Sequence, residues 1–132
     1  MNSILKQFIK HLTVGENEVV LLDMEAGVEH FGRGVDNSVD LILMIVDPSF
    51  ESLKLTKKIQ QLGDSIGKTV FFVLNKVNEL VLPTMLESID DQSKVLAVIS
   101  TDTEIARKGL VGDELMMEIP EIHMLARKIL KQ

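Results

Sequence analysis

Runs of consecutive apolar residues alternate along this chain with stretches in which apolar residues recur every three or four positions. A short unbroken apolar run is typical of a strand that is buried on both faces of a parallel sheet. We therefore predict four strands, which lie at 18–23, 41–47, 69–75 and 95–99.

The periodic stretches predict amphipathic helices. One spans 2–13, one begins after Ser49 and stops at Gly67, one spans 79–89, and Pro120 starts the last. Because strands alternate with helices and crossovers are right-handed, the predicted fold class is α/β. We expect one three-layer α/β/α domain over 1–132, with a mainly parallel sheet of about four strands.

Three local signals refine this prediction. Pro83 fits the helix at 79–89 only if it lies in the first turn. Thr101-Asp102-Thr103-Glu104 has the pattern of a capping box that opens a short helix. The segment 26–38 is rich in glycine and charge, and we predict a short helix within it.

The first apolar run ends in a carboxylate and is followed by a glycine, as Asp23, Glu25 and Gly27. Ligands of open α/β sheets bind beyond the carboxyl ends of the strands, so this tip lies where ligand chemistry is expected. A buried strand that ends in aspartate is also the layout of a Walker B element, whose carboxylate helps to hold a magnesium shell. The alternative is that Asp23 only ends a strand and caps the next segment.

Three segments carry a resemblance to a known family. Asp-Met-Glu-Ala-Gly-Val-Glu-His at 23–30, followed by Arg33-Gly34, resembles the switch II segment of CooC-type ATPases, which are carbon monoxide dehydrogenase maturation factors of the MinD/ParA group of deviant P-loop ATPases. The segments 46–49 and 73–77 resemble two further family segments in the same order. The resemblance runs from about residue 3 to the C-terminus.

This resemblance implies ATP and magnesium as cofactors and gives roles to four residues. Asp23 and Gly27 would be catalytic, with Asp23 in the magnesium shell and the Gly27 amide on the terminal phosphate. Asn75 and Lys76 match the strand-end pair that contacts the purine, although position 78 is Asn where the stronger Asn-Lys-x-Asp signature has Asp. The structural alternatives are a turn glycine at 27 and a strand-end turn residue at 75.

The phosphate loop of such an ATPase is missing from the sequence. Gly63 to Thr69 ends in Gly-Lys-Thr, but only three residues separate its glycines, and a helix precedes it where a strand should. No other stretch matches Gly-x-x-x-x-Gly-Lys-[Ser/Thr]. We therefore expect the C-terminal part of a MinD/CooC-like nucleotide-binding domain that by itself binds ATP poorly and hydrolyses none.

The resemblance also predicts how the sheet is completed. In the related sheets the phosphate-loop strand lies between the Walker B strand and the next one, which here are 18–23 and 41–47. Because buried backbone groups need hydrogen-bond partners, we predict that these two strands pair directly or that a second copy of the chain fills the slot.

Composition narrows the remaining possibilities. A length of 132 residues with 45% apolar content suits one core, and a net charge of −6 without a basic stripe argues against nucleic-acid binding. The absence of cysteine excludes disulfides and thiolate metal sites. His30 beside Glu29 is too small a ligand set for zinc or nickel. No apolar run reaches the roughly 18 residues of a membrane span, so we expect a cytoplasmic protein without a membrane partner.

Two hypotheses of function result. The first is the C-terminal half of a CooC-like ATP-binding protein that couples nucleotide state to nickel insertion into carbon monoxide dehydrogenase. It would act as a homodimer or with a partner chain that bears the P-loop, and carbon monoxide dehydrogenase would be its client. The alternative is a P-loop-less, non-catalytic interaction or dimerisation module of the same fold.

Overall fold

A computed structural model describes residues 2–24 and 39–132 of the chain. Its strands and helices are named here in chain order. They are α1 (Asn2–His11), β1 (Leu41–Val46), α2 (Phe50–Ser65), β2 (Thr69–Val77), α3 (Leu82–Glu87), a 3₁₀ turn (Gln92–Lys94), β3 (Val95–Ser100), α4 (Thr103–Val111) and α5 (Pro120–Ile129).

The three strands form one parallel sheet in the order β1-β2-β3. The β1–β2 register pairs Leu41 with Thr69 and Val46 with Leu74 without interruption. Because successive side chains of a strand point to opposite faces, Val46, Phe72 and Leu74 share one face. That face carries the larger core cluster, which also includes Ile59 of α2 and Met85 of α3.

The opposite face of the sheet is covered by α5. Val73 of β2, Leu96 of β3 and Leu125 of α5 form a second buried cluster, and the Lys128 ammonium donates to the Leu96 carbonyl oxygen. With helices on both faces, the described residues have the α/β/α layering that the hydrophobic pattern predicts. This architecture is consistent with a P-loop nucleotidase fold.

Helix α2 is held by contacts that its apolar periodicity does not reveal. Its most buried residues are Thr56, Ile59 and Gly63. The Thr56 hydroxyl lies 2.7 Å from the Leu53 carbonyl oxygen and 2.9 Å from that of Ser88, which ties α2 to the end of α3. At Gly63 the helix approaches the start of β2 so closely that an added Cβ would lie 2.4 Å from a methyl carbon of Val70.

The predicted strand at 18–23 is wrong. These residues have no regular secondary structure, and their side chains are largely exposed, with Leu21 at 82%. A strand needs a neighbour to take up its backbone hydrogen bonds, and none of the three described strands pairs with this segment. The described part of the sheet therefore has three strands rather than about four.

The outer edge of β1 has no partner among the described strands. Direct pairing of 18–23 with 41–47 is therefore not found, while the alternative that a second copy fills the slot stays a prediction. The predicted short helix within 26–38 lies outside the described residues.

The remaining element predictions agree with the structure to within a few residues. Pro83 lies in the first turn of α3, as its chemistry requires. The cap of α4 is Asp102 rather than Thr101, because the Asp102 carboxylate accepts hydrogen bonds from the backbone amides of Glu104 and Ile105.

Candidate functional site at the carboxyl edge of the sheet

The carboxyl ends of the parallel strands bring three polar segments to one edge of the sheet. Asp47 follows β1, Asn75 and Lys76 lie at the end of β2, and Asp102 follows β3. The Thr101 amide donates to the Val77 carbonyl oxygen at 2.8 Å, so the ends of β2 and β3 stay joined beyond the ladder.

An irregularity at the end of β2 gives this edge its shape. The register with β3 shifts between Leu74 and Val77, and both of these residues are buried in the same core cluster although they are three positions apart. Strict alternation would put them on opposite faces, so one extra residue is accommodated between them. Lys76 has a φ of 55°, the left-handed conformation that such a bulge uses.

Asn75 and Lys76 both bind the carboxylate of Asp47. The Asn75 side-chain nitrogen donates to Oδ1 at 2.9 Å, and the Lys76 ammonium lies 2.6 Å from Oδ2. One carboxylate therefore connects the end of β1 to two consecutive residues of β2. We call Asp47, Asn75 and Lys76 the edge cluster.

The edge cluster keeps Asp47 ionised. Partial burial raises the pKa of Asp47, but the hydrogen bonds from Lys76 and Asn75, together with the Lys76 charge, outweigh burial and bring the pKa below its ordinary value. At neutral pH the Asp47 carboxylate is therefore an acceptor only.

Two serines fix the backbone that comes after β1. The Asp47 amide donates to the Ser52 hydroxyl at 3.1 Å, and the Ser52 amide donates to the Ser49 hydroxyl at 3.2 Å, which is the N-cap of α2. These bonds set the angle between the end of β1 and the first turn of α2. Asp47 is thus held through its carboxylate by β2 and through its backbone amide by α2.

An open depression of about 470 Å³ lies against the edge cluster. Its polar lining comes from Asp47, Asn75, Ser49 and Ser52. Its apolar lining includes Met44 and Ile45, which point to opposite faces of β1, so the depression extends around the outer edge of that strand.

A second depression, of about 240 Å³, lies at the end of β3. It is lined by the segment from Ile99 to Asp102 and by the start of α5, including Pro120 and Glu121. Both depressions open at the carboxyl side of the sheet, where parallel α/β proteins bind ligands.

The structure brings together two of the four site residues that the sequence predicts. Asn75 and Lys76 lie together in the edge cluster. Asp23 is exposed on a segment without regular structure and lines neither depression, and Gly27 lies outside the described residues. Their roles as Mg²⁺ ligand and phosphate contact remain predictions.

The sequence interpretation missed the part that Asp47 plays. A signal was present, because Asp47 ends an apolar run just as Asn75 ends the next one, and the ends of neighbouring parallel strands meet. What periodicity could not supply was the bulge at Lys76, which lets two consecutive residues of β2 reach one carboxylate.

Residues 2–24 and 39–132 contain neither a cluster of metal ligands nor a membrane span. No group of three or more His, Cys, Asp or Glu side chains in these residues is arranged to hold a metal ion. None of the described helices is long and apolar enough to cross a membrane.

The chain is similar to curated proteins that bind ATP. An uncharacterized ATP-binding protein of Methanocaldococcus jannaschii is 45% identical over 122 residues, which cover 92% of this chain and 49% of that protein. A second such protein of the same organism is 31% identical over 118 residues, 87% of this chain and 46% of the relative.

The carbon monoxide dehydrogenase accessory protein CooC of Rhodospirillum rubrum is 33% identical over 112 residues, which cover 84% of this chain and 43% of CooC. The chain thus spans about half the length of the curated relatives it matches. No protein-family model matches it. These similarities support a relationship to ATP-binding proteins and to CooC.

Proposed function

We propose that this chain supplies the base-binding side of an ATP site in a CooC-like protein that couples nucleotide state to nickel insertion into carbon monoxide dehydrogenase. The observation that carries the proposal is the edge cluster. It puts an amide and a carboxylate that is paired with a lysine beside a depression at the carboxyl edge of a parallel sheet. The similarity to ATP-binding proteins and to CooC supports it independently.

The chemistry of the edge cluster suits a purine. An asparagine amide offers one acceptor and two donor hydrogens, which match the amino group and ring nitrogen of adenine. Lys76 cancels the Asp47 charge, so the site does not repel a nucleotide anion. The volume of about 470 Å³ lies within the range of small-molecule sites.

The phosphate side of the proposed site is assigned to other polypeptide, because the 132 residues contain no Walker A motif. In this proposal a P-loop-bearing chain or a longer form of the protein supplies it, and the assembly is a cytoplasmic dimer with carbon monoxide dehydrogenase as client. Asp23 and Gly27 keep their proposed roles towards magnesium and the terminal phosphate.

Asp23 fits magnesium only as a single ligand. Magnesium in nucleotide sites is held through one or two carboxylates together with substrate phosphates, and an exposed carboxylate at 23 is suited to that arrangement. The ion would supply charge neutralisation on the phosphates. What this chain contributes is the carboxylate oxygen.

Titration of the ¹⁵N-labelled chain with ATP tests the proposal. We expect weak, saturable binding with a Kd of about 1 mM, since the phosphate contacts are absent, and the largest shifts at the Asn75 side-chain amide and its neighbours. Asn75→Ala should abolish these shifts. Asn17→Ala, a change in an exposed turn before β1, is the matched control and should retain them.

Two results would contradict the proposal. One is the absence of any ATP-dependent shift at residues 47, 75 and 76. The other is binding of equal strength by Asn75→Ala, because the amide would then not contact the base.

One observation favours the alternative of a non-catalytic interaction module. Ile45 on the outer strand is 51% exposed, and Val19, Val20 and Leu21 are exposed as well, so the described residues present apolar surface that a partner could cover. This alternative expects no ATP-dependent shifts. It expects a molecular mass in solution that rises with chain concentration, as measured by light scattering.

A further inference from the structure

The chemistry of Asp47 fixes which way the Asn75 amide faces. An ionised carboxylate can only accept hydrogen bonds, and the Asn75 side chain lies 2.9 Å from its Oδ1. The amide must therefore present its nitrogen to Asp47. Because nitrogen and oxygen lie on opposite sides of the planar amide, the Asn75 oxygen is turned away from Asp47.

Asp47 is itself prevented from releasing this contact. Its second oxygen, Oδ2, is held by the Lys76 ammonium at 2.6 Å, and its backbone amide is held by the Ser52 hydroxyl at 3.1 Å. Rotation of the carboxylate would break a charge-assisted hydrogen bond as well as the bond to Asn75. The reversed amide would place its oxygen against the carboxylate, where the two acceptors repel.

We propose that Asp47 is a positioning residue that fixes the Asn75 amide in one orientation and thereby selects 6-amino purines over 6-oxo purines. This inference rests on the proposed function. In the fixed orientation Asn75 offers an oxygen acceptor, and its second amide hydrogen is not needed by Asp47. Adenine supplies the complement, an amino hydrogen for the oxygen and a ring nitrogen for the amide hydrogen.

Guanine meets the same amide unfavourably. Its O6 is an acceptor and would face the Asn75 oxygen, which cannot exchange places with the nitrogen while Asp47 is ionised. The preference for adenine over guanine would thus be set by Asp47, which contacts the Asn75 amide and not the base.

Asp47→Asn is the informative variant, because it keeps the size of the side chain and removes the restriction to accepting. An amide at 47 can keep its oxygen towards the Lys76 ammonium and turn its nitrogen towards Asn75, so the reversed orientation of Asn75 becomes allowed. The matched control is Asp90→Asn. It removes the carboxylate of the other cross-element ion pair among the described residues, Lys57 to Asp90 at 3.8 Å, on the segment that leads into β3.

The measurement is the ratio of ATP to GTP affinity, each obtained from ¹⁵N titrations followed at the Asn75 side-chain amide. The wild-type chain should prefer ATP, and Asp47→Asn should lower the preference by about fivefold to tenfold, the worth of one hydrogen bond. Asp90→Asn should leave the ratio unchanged. Asp47→Glu, which restores an acceptor-only group, should recover part of it.

The outcomes separate the two proposals. If ATP shifts the Asn75 amide but the ratio is the same in Asp47→Asn as in the wild type, the positioning role is overturned and the base-binding function stands. If neither nucleotide shifts this amide in the wild type, the base-binding function fails and the positioning role fails with it.

A measurement on the unmodified chain keeps the test open should Asp47→Asn not fold. One Nδ2 proton of Asn75 should resonate downfield of the other and move when Asp47 is protonated, because it is bonded to that carboxylate. Lys76 is the described charged group in contact with Asp47. A pair of Asn75 protons whose shifts do not change with pH would overturn the inference.

Discussion

Two segments of this chain have the same sequence signature and opposite structures. Both 18–23 and 41–47 are apolar runs that end in aspartate. The second forms strand β1, with Val46 fully buried and Asp47 bonded to two residues of the neighbouring strand. The first has no regular structure, and Asp23 makes no side-chain hydrogen bond or ion pair with other described residues.

The difference shows what turns a strand-end aspartate into part of a site. The carboxylate of Asp47 is oriented because β2 lies beside β1 and its bulge supplies two donors. Asp23 lacks such a neighbour among the described strands. A motif of the Walker B type therefore predicts a residue type at a position, and the adjacent strand decides whether that residue is held in place.

The largest expected effect contrasts the buried core of the sheet with the exposed run at 18–23. Phe72→Ala removes a fully buried ring from the centre of the sheet and should lower the free energy of unfolding by about 3–5 kcal/mol. Leu21→Ala, in the exposed run, should change it by less than about 0.5 kcal/mol. Urea unfolding followed by circular dichroism measures both. Similar losses for the two variants would mean that the run at 18–23 is buried in solution.

A smaller loss is expected where α2 meets β2. Gly63→Ala puts a Cβ 2.4 Å from the Val70 methyl carbon and 2.8 Å from the Lys68 carbonyl oxygen, so it should destabilise the chain by about 1–3 kcal/mol. Gly109→Ala in α4 is the control. Apart from its own helix, no described residue lies within 4 Å of its added Cβ, and the change should stabilise by about 0.5–1 kcal/mol.

Replacing either aspartate by alanine should again distinguish the segment 41–47 from the segment 18–23. Asp47→Ala leaves Asn75 and Lys76 without their shared acceptor, and a cost of about 1 kcal/mol is expected because the cluster is partly exposed. Asp23→Ala should have no measurable effect on unfolding of the chain. Equal costs would show that Asp23 is held by contacts comparable to those of Asp47.

The smallest effect is the pH dependence that Asp47 confers. Because the pKa of Asp47 is lower in the folded chain than in the unfolded chain, its stabilisation is present above the unfolded value of about 3.9 and is lost as the pH falls through the folded value. The difference in unfolding free energy between wild type and Asp47→Asn should therefore shrink as the pH is lowered below about 4. A difference that does not vary with pH would contradict the lowered pKa.

Much of the fold could be predicted from hydrophobic pattern alone. The strand predicted at 41–47 is Leu41–Val46, and the helix predicted from Ser49 to Gly67 is Phe50–Ser65. These elements have strong local signals, namely an unbroken apolar run, a serine cap and a terminating glycine. The start predicted for the last helix at Pro120 is also the start of α5, Pro120–Ile129.

The features that pattern could not supply depend on neighbours distant in sequence. Whether 18–23 forms a strand depends on a partner strand, which the run itself does not encode. The burial of Thr56 depends on the Ser88 carbonyl, 32 residues away, and the close packing at Gly63 depends on β2. Asn75 was predicted as a site residue, but its hydrogen bond to Asp47 depends on the register of β1 against β2.

The most direct test of the central claim is a single ATP titration of the ¹⁵N-labelled chain that compares the two aspartate-ended segments. In the absence of magnesium, we expect saturable shifts at Asn75, Lys76 and the amide of Asp47. The amide of Asp23 should not move, because the role proposed for Asp23 is towards magnesium. Shifts that concentrate around Asp23 and spare Asn75 would contradict it, because the nucleotide would then bind at the segment that the described sheet does not include.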